Sequence, residues 1–135
     1  GRLDFNSQGL ILLTNNTKIK AYLEKPSSKI IRTYKVKVQG LLTDSIIKKT
    51  KKGMYINNIF YSVKKIEIFK KTKSYSWLLV KLDEGKNNHI RKVFKKLGFS
   101  VNKLVRIQYG PYRIGSLKTG EVKFLNINKV KFNYL

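Results

Sequence analysis

The stretch GRLDFNSQGLILL, at residues 1–13, decides the fold of this chain. It places an acid, Asp4, beside Arg2 and just ahead of the apolar run at residues 10–13. Gly9 permits a turn that a larger side chain resists, and the run is predicted to be a strand buried on both faces. An Asp–Arg pair alone is most often a structural ion pair, so the meaning of Asp4 depends on the rest of the chain.

The composition predicts one folded domain of 135 residues with a packed core, since 41% of the residues are hydrophobic. The absence of cysteine excludes disulfides and thiolate metal sites. The apolar runs are far shorter than the ~20 residues of a membrane-spanning helix. No signal peptide is recognisable, and a cytoplasmic location is the expectation.

The charge is the strongest global signal, with 30 Lys and Arg against 7 Asp and Glu and a net charge of +23. Such a field attracts polyanions and speeds their encounter with the protein. Nucleic acid is the first candidate. An anionic membrane surface is the second, but the sequence contains no clean basic amphipathic helix to support it.

Periodicity predicts an α+β fold, with a mixed, largely antiparallel sheet and flanking helices. Strands are predicted at residues 31–39, 59–69, 75–82 and 99–109, the second and third forming a long hairpin. Residues 112–117 are expected to be extended. Helices are predicted at residues 18–25, 43–52 and 88–97, and Asn126 is predicted to cap a closing helix over Val130 and Phe132.

Several kinds of site are excluded or poorly supported. No glycine loop followed by Lys-Ser/Thr is present, which argues against a P-loop nucleotide hydrolase. One histidine and no cysteine provide no zinc ligand set. The adjacent acids Asp83 and Glu84 lie in a predicted turn, which gives little support for a magnesium nuclease. Ser7 lacks the Gly-x-Ser-x-Gly context of a hydrolase nucleophile.

An acid, an aromatic residue and an arginine remain as chemistry-bearing groups. Asp4, if ionised, is a candidate nucleophile, and a nearby guanidinium would orient it. Tyr34, on a strand with basic neighbours, could stack on an extruded base. The basic surface would hold a nucleic-acid backbone.

Four motifs resemble, in order, those of the bacterial RsuA-like ribosomal pseudouridine synthases. They are GRLD with Ser7, Gly9 and residues 10–14; RTYKVKV at residues 32–38 with Gly40; EGKNNHIRKV at residues 84–93; and LVR at residues 104–106 with Gly110-Pro111. The last two are most similar to the RluB-like branch, which acts on large-subunit rRNA. The resemblance implies the catalytic core of that family and ribosomal RNA as the partner.

The resemblance also implies a mechanism, in which an aspartate attacks a flipped uridine, the bond from C1′ to N1 breaks, and the uracil rejoins through C5. First attack at C1′, first attack at the base and a glycal route are open alternatives. No cofactor and no metal are implied. By motif position Asp4 is the nucleophile, Tyr34 stacks on the base and can take a proton, and Arg91 pairs with Asp4.

The same motifs imply the residues that contact RNA and the base. Ile90 and Leu104 are expected to line the base pocket. The expected RNA-binding residues are basic or polar and lie in or beside the motifs; they are Arg2, Arg32, Lys86, Asn87, His89, Lys92 and Arg106. From the residues alone, Arg91 would be a helix-surface arginine that binds phosphate.

Two family features are missing from the sequence, namely an N-terminal RNA-binding domain of the S4 type and a strand with a Lys-Pro-x-Gly motif ahead of the catalytic loop. The chain is therefore expected to be a truncated catalytic domain, monomeric, with an open sheet edge. Two other readings stay open: a non-catalytic, basic RNA-binding or ribosome-associated protein, and a generic polyanion or membrane-surface binder.

Overall fold

The computed structural model of the protein describes residues 1–126. Three helices and eight strands form in this part of the chain, together with a single 3-10 turn at Pro26–Ser28. The elements are β1 (Gln8–Gly9), α1 (Thr17–Glu24), β2 (Arg32–Gln39), α2 (Asp44–Lys52), β3 (Met54–Ile56), β4 (Ile59–Tyr61), β5 (Lys65–Lys71), β6 (Tyr75–Leu82), α3 (His89–Lys96), β7 (Val101–Tyr109) and β8 (Tyr112–Arg113).

The main sheet has the strand order β1-β7-β2-β6-β5, with β8 paired to the end of β7. β1 runs parallel to β7, and the other neighbours in this sheet are antiparallel. The predicted α+β class with a mixed, largely antiparallel sheet is therefore confirmed. The sheet brings β1, next to Asp4, beside the middle of β7, although about 96 residues separate them in sequence.

The core lies on the sheet face that is covered by α2 and α3. Alternate residues of β6 are buried, as the period-2 pattern predicts, and Val36 and Val38 of β2 are completely buried beside them. Ile90 and Phe94 of α3 pack on this face. These residues anchor α3 on the sheet.

Two of the three helices in residues 1–126, α1 and α2, begin where side chains can satisfy free backbone amides. The Asn16 side chain accepts from the amides of Lys18 and Ile19 at 3.0 and 3.2 Å, and Thr43 caps α2 in the same way. The predicted bounds of the three helices are accurate to within one or two residues, since capping and apolar spacing are local properties of the sequence.

The prediction for residues 10–13 was wrong. The strand in this region is β1, and the run itself lies beside the sheet edge above α1. Leu10 and Leu12 turn inward, whereas Ile11 and Leu13 are 52% and 84% exposed. Successive side chains of an extended segment point to opposite sides, and only one side of this run packs against the protein, on Ile19, Leu23 and Tyr109.

The prediction of one strand over residues 59–69 was also wrong. Residues 62–64 separate β4 from β5, and β4 pairs with β3 in a small hairpin of its own. Asn57 and Asn58 form its two-residue turn, with φ of 48° and 63°. Asn tolerates this left-handed conformation, and an Asn pair between apolar residues was a readable hairpin signal.

The hairpin of β5 and β6 is confirmed. The predicted closing helix over Val130 and Phe132 lies outside the described residues. Among residues 1–126, no helix combines the length and the hydropathy that crossing a membrane requires.

Candidate active site

A cavity of about 410 Å³ opens where the N-terminal loop meets β2, β7 and the start of α3. Its lining includes one acid from that loop, Asp4, and the aromatic ring of Tyr34. The volume is within the range of pockets that hold small ligands or single building blocks of polymers. All four sequence motifs meet at this cavity. Asp4, Tyr34 and His89 come from the first three motifs, and Arg106 of the fourth completes the wall.

Asp4 is held at the N-terminus of α3. Its Oδ1 accepts a hydrogen bond of 3.2 Å from the backbone amide of Asn88, the residue that precedes the first helical residue. Its own carbonyl accepts from the Ser7 amide at 3.0 Å, which closes a turn over residues 4–7. An anion at a helix N-terminus is electrostatically favourable. The carboxylate is therefore oriented by backbone groups that no side-chain rotation can displace.

Arg106 holds the loop that carries Asp4. Its side chain is 1% exposed, and its three guanidinium nitrogens donate to the carbonyls of Leu10 (2.9 Å), Arg2 (3.3 Å) and Gly1 (2.8 Å). Arg106 was predicted to bind RNA; its guanidinium is bound to the protein's own carbonyls, and a contact with RNA stays a prediction. The buried fork connects β7 to the loop, because a guanidinium can satisfy several carbonyls at once.

Gly9 allows this loop to approach β7. The backbone of Gly9 has φ +114°, and a Cβ built there would lie 2.2 Å from the carbonyl oxygen of Arg106. Leu10 then donates its amide to the same carbonyl at 2.8 Å. Only glycine fits both the conformation and the contact, so Gly9 sets the distance between the Asp4 loop and the sheet.

Tyr34 lies in the cavity wall with its ring half-buried. Burial raises the pKa of Tyr34 above its ordinary value, although the nearby Arg106 guanidinium opposes this shift. The phenol is therefore neutral and protonated at physiological pH. In that state the ring can stack and the hydroxyl can donate a hydrogen bond.

Arg91 does not pair with Asp4, contrary to the prediction. Its guanidinium donates to the carbonyls of Val101 (2.8 Å) and Asn6 (2.6 Å), and it lies outside the cavity. None of the ion pairs within residues 1–126 joins Arg91 to a carboxylate. The Arg91 side chain extends from α3 past the start of β7 to the turn over residues 4–7. It therefore holds that turn on the side away from the cavity.

Comparison with known proteins identifies the family to which this site belongs. Residues 1–96 match the family model for RNA pseudouridylate synthase. The chain belongs to this family. An RNA pseudouridine synthase of Rickettsia felis is 46% identical over 130 residues, which are 96% of this chain and 56% of that protein. The ribosomal large subunit pseudouridine synthase B of Buchnera aphidicola is 39% identical over 109 residues, 81% of this chain and 44% of that protein.

A crystal structure of a pseudouridylate synthase superposes with a TM-score of 0.77 over 84% of this chain and 49% of the other, at 22% identity. This likeness supports the fold. The chain spans about half the length of the curated relatives that it matches. The resemblance to ribosomal pseudouridine synthases that the four motifs indicated is confirmed.

In this member of the family, two more of the predicted RNA-binding residues are buried. Arg32 is 5% exposed and donates to the carbonyl of Leu23 and to the hydroxyl of Tyr109, at 3.1 and 3.0 Å. His89 is 2% exposed, with its ring edge-on to Tyr61. Burial lowers the pKa of His89, despite the opposing influence of Glu84, so the imidazole is neutral. Both residues are buried but line the cavity, and their predicted contacts with RNA stay predictions.

The other four predicted RNA-binding residues are at least partly accessible, and Arg2, Lys86 and Asn87 line the cavity. Lys86 is held by Glu84 (2.6 Å) and by the carbonyl of Phe60 (2.8 Å). Lys92 lies farther along α3, with its ammonium 3.4 Å from the Tyr61 hydroxyl.

The predicted base-pocket residues, Ile90 and Leu104, are each 3% exposed and both line the cavity. They form an apolar surface beside Asp4. Within residues 1–126 no group of three or more potential ligand side chains could hold a metal ion.

The structure also reveals functional roles that sequence reasoning missed. Asn88 supplies a backbone amide, and a backbone group carries no residue-type signal. Arg106, the buried arginine that organises the loop, was assigned to RNA because of its place in a family motif. A charged residue between apolar neighbours in a predicted central strand, as Arg106 is, was the available sign of burial.

Proposed function

We propose that the protein isomerises a uridine of ribosomal RNA, in the large subunit, to pseudouridine, with Asp4 as the nucleophile. One observation carries the proposal: the carboxylate of Asp4, oriented by the Asn88 amide, shares a base-sized cavity with Tyr34 and the apolar side chains of Ile90 and Leu104. An acid on a backbone-fixed loop inside a strongly basic protein repels phosphate. A role limited to RNA binding does not require such an acid.

The chemistry conserves every atom of the substrate. In the nucleophilic route the Asp4 carboxylate bonds to C1′ as the bond from C1′ to N1 breaks, and the electron pair leaves with the uracil. The uracil turns, C5 bonds to C1′ and displaces the carboxylate. The proton on C5 is lost and N1 gains one. Attack on the base and the glycal route end in the same product and use the same carboxylate.

The cavity supports this sequence through the positions of its other residues. Tyr34 provides a ring on which the flipped base can stack, and stacking tolerates rotation of the base. Ile90 and Leu104 exclude water from one side. Because the Tyr34 phenol is protonated at neutral pH, it can donate a hydrogen bond. It can accept the C5 proton only after it has lost its own.

The assignment to large-subunit rRNA rests on relatives and on charge. The Buchnera aphidicola relative is a ribosomal large subunit enzyme. The net charge of +23 suits a polyanionic substrate. These two observations favour rRNA over a small-molecule nucleoside, which would not need so large a positive field.

The test uses transcripts of both rRNAs, labelled in uridine, with the full-length protein and its Asp4→Asn variant. Asn keeps the shape of Asp4 and removes the nucleophile. We expect pseudouridine from the wild-type protein only, at one position in the large-subunit transcript, with RNA affinity retained by Asp4→Asn.

Three other outcomes would each change a specific part of the proposal. Turnover by Asp4→Asn would contradict the nucleophile assignment. Product only in the small-subunit transcript would contradict the substrate assignment. Tight binding without product from either protein, on transcripts and on assembling particles alike, would favour the non-catalytic RNA-binding alternative.

A further inference from the structure

The main sheet has an outer face, on the side away from α2 and α3, and lysine dominates it. Lys37 pairs with Lys103 in β7 and with Trp77 in β6, and Trp77 pairs with Lys70 in β5. Opposite residues of neighbouring strands share a face, so these side chains form one row across the sheet. The outward-pointing lysines of the four strands are Lys35, Lys37, Lys65, Lys70, Lys81 and Lys103, and none of them is buried.

Aromatic rings lie among these lysines. Phe69 is 47% exposed, and Tyr75 and Trp77 are half-buried. The Lys35 ammonium stands 5.4 Å from the centre of the Phe69 ring and 5.2 Å from that of Trp77. The Lys37 ammonium stands 3.9 Å from the centre of the Tyr75 ring. Cation–π contacts hold these lysines over the rings, and we call the five residues the lysine–aromatic face.

The positive charge of this outer face is left without partners in the part of the chain that the structure describes. Within residues 1–126, Lys65 alone of the six lysines forms an ion pair, with Glu67. Burying unpaired ammonium groups against protein is unfavourable, and a second copy of the chain would bring the same positive charge. A single-stranded nucleic acid supplies both a row of phosphates and bases that can stack on the rings.

The lysine–aromatic face and the cavity lie on opposite sides of the sheet. Tyr34 lines the cavity and packs against the core, with Val36 two residues farther along β2. Lys35 and Lys37 alternate with these residues and therefore point away from the cavity. RNA that binds at the outer face is consequently a different segment from the nucleotide that enters the cavity.

We propose that the lysine–aromatic face binds a single-stranded segment of RNA, with bases stacked on Trp77 and Phe69 and phosphates bound by Lys35 and Lys37. Every base has a ring face that can stack, and an ammonium group contacts phosphate whatever the base is. The face therefore binds RNA without regard to sequence. The inference goes beyond the proposed function, because it holds for RNA that contains no uridine.

The test uses the full-length protein and a short oligoadenylate, which carries no uridine and so cannot be isomerised. Trp77 is the one tryptophan of this chain, and the fluorescence that Trp77→Phe removes isolates its signal. We expect acrylamide to quench this signal in the free protein and oligoadenylate to quench it on binding. A Trp77 that is shielded from acrylamide would overturn the proposal, because other protein would then cover the face.

Substitutions measure the stacking and the charge separately. Trp77→Ala should raise the Kd for oligoadenylate by roughly 5- to 150-fold, the range of one lost base–aromatic stack, whereas Trp77→Phe keeps a ring and should bind nearly as well as wild type. The double variant Lys35→Gln/Lys37→Gln leaves Trp77 in place, so it decides the question even if Trp77→Ala does not fold. It should reduce the slope of log K against log salt by about 1.4, about 0.7 for each lysine.

The matched control is Lys48→Gln/Lys49→Gln, which removes the same charge from exposed positions on α2. Because α2 lies on the other side of the sheet, this variant should leave the slope unchanged. Equal reductions for the two double variants would show that only net charge matters and would overturn the proposal. Sedimentation with phosphatidylserine vesicles tests a membrane partner. Vesicle binding that requires Lys35 and Lys37, with oligoadenylate binding unaffected by their loss, would overturn the assignment to RNA.

Discussion

Replacing Gly9 with alanine tests whether the spacing between the Asp4 loop and β7 controls both stability and activity. The added Cβ would lie 2.2 Å from the carbonyl oxygen and 2.5 Å from the amide nitrogen of Arg106. Both atoms are backbone atoms in a central strand and cannot rotate away. The loop must therefore move outward by about 1 Å to restore an ordinary contact distance.

The magnitude follows from two contributions. Alanine at φ +114° costs about 1–3 kcal/mol in backbone strain. Moving the loop also weakens the hydrogen bond from the Leu10 amide to the Arg106 carbonyl and its neighbours in the β1–β7 pairing, at about 0.5–1.5 kcal/mol each. We expect Gly9→Ala to lower the free energy of unfolding by about 3–5 kcal/mol.

The matched control is Gly98→Ala. Gly98 has φ +83°, and a Cβ there meets nothing within 4 Å. This variant carries only the strain of a left-handed alanine, about 1–2 kcal/mol. Urea unfolding of the two variants against wild type gives both free energies, and the difference between them isolates the close approach.

Activity gives an independent measure. A displacement of about 1 Å at Asp4, the proposed nucleophile, is expected to lower the rate of a positioned reaction by about 100-fold. We expect this loss for the folded fraction of Gly9→Ala, and full activity for Gly98→Ala. Equal free energies for the two variants, or wild-type turnover by folded Gly9→Ala, would refute the reasoning.

Two further predictions concern buried charged or titratable residues. Arg106→Lys keeps the charge, but the lysine cannot reach all three carbonyls. The free energy of unfolding should fall by about 2–4 kcal/mol and turnover should fall at least about tenfold. RNA affinity, measured by filter binding, should be unchanged. A lower affinity with a shallower salt dependence would instead indicate a phosphate contact. Because burial lowers the pKa of His89, the unfolded chain takes up a proton that the folded protein excludes, and stability should fall as the pH drops below about 6.5. Urea unfolding of His89→Gln between pH 7 and pH 5 should show a smaller fall than wild type, and parallel profiles would contradict the buried, neutral histidine.

The sequence predicted the elements that depend on local physics. The strand pattern of β2 and β6 and the capped helices α1 and α2 are short-range signals, and each was read within one or two residues. The β3–β4 hairpin was missed although Asn57-Asn58 marked its turn. The run at residues 10–13 was misread because its burial depends on which strand lies beside it, and β7 is far away in sequence.

The residues of the candidate site likewise fall into those that the sequence could predict and those that it could not. Asp4, Tyr34, Ile90 and Leu104 could be chosen from motifs, and the fold brings them to one cavity. The roles of the arginines could not be assigned from the sequence, since a guanidinium can donate to phosphate, carboxylate and carbonyl oxygens alike. Whether it meets RNA or the protein's own backbone depends on burial.

The sequence by itself determined the family, the α+β class, the basic character and the choice of Asp4 as the candidate nucleophile, because motifs and composition are properties of the chain. The tertiary structure alone decided that Arg106 and Arg91 hold the loop from both sides, that the α3 amide orients Asp4, and that lysines stand over aromatic rings on the outer face of the sheet. The hydrogen bonds among these relations join residues 84 to 105 positions apart, and only the packing of β7 and α3 against the loop brings those residues together.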